Sequence, residues 1–150
     1  MERTLNDIHN GGSERREEAA GEPFPAVLRY WRTISAEAFD DATKAEVIAF
    51  VRSTTTTNPE WQRAVSGDAS AAIRMVMHCK APESIGIRVD FPMTVLLSCA
   101  FEEPGAALML SQKLCQMPLE ARLRRKLATS WQVANLLFSL RRPPKGATRG

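Results

Sequence analysis

Residues 90–142 read DFPMTVLLSCAFEEPGAALMLSQKLCQMPLEARLRRKLATSWQVANLLFSLRR, and this stretch decides the fold, because it holds most of the strongly apolar, helix-forming sequence. Three helical segments are marked by its punctuation. Asp90 is placed to cap the first, with Pro92 in the opening turn, where a missing amide proton costs nothing. Met93, Val95, Leu96, Leu97, Cys99 and Ala100 then make that segment apolar almost all round, which predicts burial. Pro104 stops this run and begins the next, where Ala106, Ala107, Leu108, Leu110 and Leu114 are apolar and Ser111, Gln112 and Lys113 form a polar edge. A tight helical hairpin follows.

Pro118 opens the third segment. Leu119, Leu123, Leu127 and Trp131 recur every four residues, and Arg122, Arg124, Arg125, Lys126 and Gln132 take other faces. Past Ser130 the apolar stripe widens to Val133, Ala134, Leu136, Leu137, Phe138 and Leu140, so the end of the helix is expected to be buried more completely than its start. Unbroken to Arg142 it would be about 37 Å long, and Thr129 and Ser130 offer a place for a bend or a fresh cap.

Working outward, Pro25 starts a helix through Val27, Leu28, Tyr30 and Trp31, and Ser35 or the pair Asp40 and Asp41 caps another carrying Val47, Ile48, Phe50 and Val51. Ser53 to Asn58, with four consecutive threonines, reads as a loop. Asn58 and Pro59 begin a short helix with Trp61 and Val65, and Ser66, Gly67 and Asp68 interrupt the chain before a helix from Ala71 to Met77. Ile85, Ile87 and Val89 alternate with Gly86 and Arg88, which reads as an extended connector without a sheet partner.

The expectation is an all-α fold, a compact bundle or a stack of helical hairpins with about six helices. Residues 1–22 are read as a disordered polar tail, 23–142 as the helical domain and 143–150 as a basic flexible tail. Asp68-Ala69-Ser70-Ala71-Ala72-Ile73 echoes Glu103-Pro104-Gly105-Ala106-Ala107-Leu108 at an offset of 35 residues. The period resembles helical-hairpin repeats of the tetratricopeptide or Sel1-like kind, but there are only two units and they lack the large aromatic and glycine positions of such repeats. The resemblance implies a stacked scaffold with a protein-binding groove.

The chain carries a formal charge of +3, unevenly spread: Met1 to Glu22 has three basic and six acidic residues, and Pro118 to Gly150 has eight and one. Arg122, Arg124, Arg125, Lys126, Arg141 and Arg142 form the candidate surface for an anionic partner, nucleic acid or an acidic protein. Cys79, Cys99 and Cys115 have long, unequal gaps that fit neither a disulfide framework nor a zinc site, so buried free thiols are expected. His78 and Cys79 are adjacent on a helix and diverge by about 100°, which prevents a nucleophile and base pair. Glu102 and Glu103 sit at a helix junction, where interaction with the next helix start explains them better than acid–base chemistry. The glycines build no phosphate loop.

No catalytic, cofactor-binding or metal-binding residues are therefore assigned, and no cofactor is expected. Without an apolar leader segment or a bilayer-length apolar run, the chain is expected to be cytoplasmic and not to engage a membrane. The leading expectation is a small non-catalytic intracellular protein-interaction module, an adaptor or regulator with an unidentified protein partner. A nucleic-acid-associated protein using the basic C-terminal helix and tail comes second, and an enzyme third.

Overall fold

The computed structural model describes residues 25–141, so the two expected tails and Arg142 lie outside the described residues. The described chain is helical, with no strand. Two 3₁₀ segments, η1 (Ala26–Arg32) and η2 (Ala36–Ala38), precede six α-helices: α1 (Asp41–Arg52), α2 (Pro59–Val65), α3 (Ala69–Met77), α4 (Ile87–Ala100), α5 (Pro104–Leu114) and α6 (Ala121–Arg141).

Most helix starts follow their local chemistry. Asp40, Asn58 and Asp68 each accept a backbone N–H from the first turn of α1, α2 and α3, satisfying amides that have no partner inside the helix. Between α2 and α3 the chain turns on Gly67, whose φ of 111° disfavours any side chain. Its N–H donates to the Ala64 carbonyl and that of Asp68 to the Arg63 carbonyl, which closes α2 directly onto the α3 cap. The expected junctions at Pro59 and Pro104 coincide with the first residues of α2 and α5.

Helix α4 is the centre of the bundle, in contact with η1, α1, α2, α3 and α5. Val95, Leu96, Leu97 and Ala100 are completely buried, and each large side chain removed from water there contributes about 1.5–3 kcal/mol. The start of α4 corrects the sequence reading. The helix begins at Ile87, not at Asp90, so the expected extended connector is partly helical and Pro92 lies inside the helix, where it removes one helical hydrogen bond.

What secures this start is a buried polar lock. Asp90 Oδ1 accepts Trp31 Nε1–H at 2.8 Å and Arg32 Nε–H at 2.9 Å, and its Oδ2 accepts a second guanidinium N–H at 3.0 Å. Asp90 is thus an acceptor that fastens η1 to α4 and not a cap. Thr94, wholly buried, extends the contact by donating to the Asp90 and Leu28 carbonyls.

Helix α6 lies at the edge of the bundle. It packs on α5, where the buried Ser111 hydroxyl donates to the Ala128 carbonyl at 2.7 Å, and on η2, where the Ala36 N–H donates to Ser130 Oγ at 2.9 Å. Leu127, Ala128 and Trp131 are its buried residues, and Trp131 joins Phe39 and Phe101 in an aromatic cluster with ring centroids 5.1–6.1 Å apart. The helix starts at Ala121, capped by Glu120, which accepts the N–H groups of Arg122 and Leu123. It runs unbroken past Thr129 and Ser130, because the Ser130 hydroxyl bonds back to the Leu127 carbonyl and makes no new cap.

Candidate interaction surface

The second half of α6 differs most from the sequence reading. Val133 is 47% exposed, Leu136 56%, Leu137 46% and Leu140 82%, so the end of the helix is buried less than its middle. The cause is topological. A helix apolar on nearly every side needs cover on nearly every side, and α5 and η2 supply it on one only. Phe138 and Ala134 pack inward against the core cluster, and the other four side chains face away from it.

On an ideal helix Val133, Leu136, Leu137 and Leu140 fall within about 100° of arc, on the side opposite Leu127, Trp131 and Phe138. Arg122, Lys126 and Thr129 fall within the same arc, and Arg125 borders it. Basic and apolar residues therefore share one outward strip in series: a basic half towards the helix start, an apolar half towards its end. Seven large hydrophobic side chains are exposed among the described residues, and these four are the set that gathers on one face of one helix.

The candidate anionic-partner residues divide accordingly. Arg122, Arg125 and Lys126 are exposed and line a shallow concavity with Val133, bordered by Glu37 of η2. Arg124 is half-buried, and its guanidinium donates to the Met117 and Leu119 carbonyls at 3.1 and 3.3 Å, holding the turn between α5 and α6. Arg141 is exposed at the far end of α6, about 22 Å along the axis from Lys126. Of the five candidates among the described residues, Arg122, Arg125 and Lys126 are thus brought together in one exposed basic cluster.

Cys79 and Cys115 are exposed, against the expectation of buried thiols, and Cys99 alone is buried. Burial pushes the Cys99 thiol up, the wrong direction for a nucleophile, although it floors a polar cleft of about 100 Å³ with Arg52, Glu102 and Glu103. Glu103 occupies the cap position of α5, yet its side chain makes no capping hydrogen bond. Lys113, nearly buried, donates to the Cys79 carbonyl at 2.9 Å beside a cavity of about 20 Å³, room for about one water. Among the described residues no group of three His, Cys, Asp or Glu side chains is placed to hold a metal ion. No helix there is long and apolar enough to cross a membrane.

Comparisons with protein-family models, with curated proteins and with solved structures find no match. Sequence reasoning found the basic half of the strip from its charge run. It missed the apolar half because periodicity identifies apolar residues and not which of them have a neighbour; the arc opposite Trp131 was the signal available.

Proposed function

We propose that the chain is a small non-catalytic helical protein-interaction module, an adaptor or regulator acting in the cytoplasm. The observation that carries this reading is the apolar quartet Val133, Leu136, Leu137 and Leu140, left uncovered by the described residues on a helix whose opposite face is locked into the core. Such a patch, rimmed by charge and presented on a rigid element, has the make-up of a protein-binding surface.

The reading is tested by placing a photo-crosslinking amino acid at position 136 in the full chain, with position 42 on exposed α1 as control, in nuclease-treated cytoplasm of the native host. Discrete protein adducts from position 136 alone are expected. Equal, diffuse labelling from both positions would overturn it.

A second reading, nucleic-acid association, is favoured by the exposed side chains of Arg122, Arg125 and Lys126, which form no ion pair with another described residue. Three phosphate contacts would give a slope of about −2.7 in log affinity against log salt. Replacing all three would abolish that slope, and an unchanged slope would discard the reading.

A further inference from the structure

We infer that the occupant of the outer face of α6 is an acidic amphipathic helix of another protein, laid along the strip with its apolar side chains on the quartet and its carboxylates on the basic cluster. This rests on the interaction-module reading above. Three observations specify the partner beyond the fact of binding.

The first is length. The apolar quartet covers only about 10 Å of helix axis, too little for a stable interface, which needs about 800 Å² per partner. A partner of adequate area must continue along the strip to Arg122, about 27 Å in all. A helix of about 20 residues matches that span, and it can present apolar side chains at the same i, i+3, i+4, i+7 spacing as the quartet.

The second is charge. Helix α6 has five basic residues and no acidic one, and Arg122, Arg125 and Lys126 stand exposed on or beside the strip. Glu120 and Glu37 lie at the edges: Glu120 is engaged by the first turn of α6, and Glu37 accepts the Ser35 hydroxyl. A carboxylate row about 15 Å from the apolar anchors, the spacing of Lys126 from Leu136, completes the pairing. The α6 helix of a second copy offers the opposite, since two such helices side by side both carry basic residues and no acidic one.

The third is the order of the two halves. A helix lying in a membrane interface sets its apolar residues on one face and its basic residues on the other, along its whole length. Here both share one face in series, so immersing the quartet would carry Arg122 and Lys126 towards the acyl region while the opposite face stays packed on α5.

The test is calorimetric titration of the full chain with a synthetic helical peptide of about 20 residues, leucine-striped in one half and glutamate-rich in the other. The controls are the same peptide with lysine for glutamate, the same peptide with serine for leucine, vesicles of phosphatidylcholine and phosphatidylglycerol, and sedimentation equilibrium of the chain alone. Micromolar binding of the acidic peptide is expected, with both control peptides at least about tenfold weaker, since each loses one half of the match.

Leu136→Ser with Leu140→Ser should weaken binding at least about tenfold, as should Arg122→Glu with Lys126→Glu, while the helical circular dichroism of both variants stays unchanged. Equal binding of the lysine peptide, binding to vesicles in place of the peptide, or a dimer dispersed by Leu136→Ser would each overturn the inference. If position 136 crosslinks to proteins and the acidic peptide still fails to bind, the partner chemistry is wrong and the interaction-module reading stands. If neither occurs, both fall.

Discussion

Trp31 and Trp131 offer a matched pair for testing how polar groups are handled inside this bundle. Both are almost fully buried, at 0% and 2% exposure, so Trp→Phe removes the same volume from a packed interior in each case. Their indole N–H groups differ. That of Trp31 donates to the Asp90 carboxylate at 2.8 Å, and that of Trp131 has no hydrogen-bond partner among the described residues.

Losing a hydrogen bond to a charged group costs about 1.5–3 kcal/mol, whereas deleting a buried donor that lacks an acceptor relieves about 1–3 kcal/mol of desolvation. The volume term is common to both and cancels in the comparison. Trp31→Phe should therefore be the more destabilising by at least about 2 kcal/mol, with Trp131→Phe close to neutral. Urea unfolding followed by circular dichroism measures both, and Asp90→Ala should erase most of the difference by removing the acceptor. Equal losses from the two substitutions would refute this account of the core and of the lock that positions α4.

Exposure and the raised Cys99 thiol together predict that a thiol-specific reagent labels Cys79 and Cys115 rapidly in the native chain and Cys99 only on unfolding; three equal rates would contradict the placement of α4. The Glu120 carboxyl is held below its ordinary range first by the backbone N–H groups of Leu123 and Arg122, then by Arg124 and Arg125. A depressed folded value means the contribution is present above the unfolded value and lost as pH falls through the folded one. Glu120→Gln should therefore lower the unfolding temperature at neutral pH and have little effect well below the carboxylate range, and a pH-independent effect would remove Glu120 as the charged cap of α6.

Much of the fold is legible in the chain because its signals are local. Asn58 with Pro59, Gly67 with Asp68, and Pro104 each mark a boundary through their own backbone chemistry, and the structure places helix ends there. The start of α4 was not legible, because Pro92 argues locally for a helix beginning near Asp90. The contrary pull comes from Trp31 and Arg32, 59 and 58 residues away in the chain. The surface divides in the same way: the charge run of the basic cluster is readable residue by residue, but the fate of Leu136, Leu137 and Leu140 depends on which side of α6 its neighbours occupy. Arg124 illustrates both, a basic residue in the run whose guanidinium is spent on the Met117 and Leu119 carbonyls.

The most direct test of the central claim, that this bundle leaves the outer face of α6 uncovered for a partner, is the unfolding free energy of the isolated full chain carrying Leu136→Ser and Leu140→Ser. Side chains 56% and 82% exposed have little burial to lose, so the pair should change stability by less than about 1 kcal/mol, while Leu127→Ala on the packed face of the same helix should cost about 2–5 kcal/mol. A loss of about 4 kcal/mol or more from the double substitution would mean that the chain covers this face itself, and the surface would not be available to a partner.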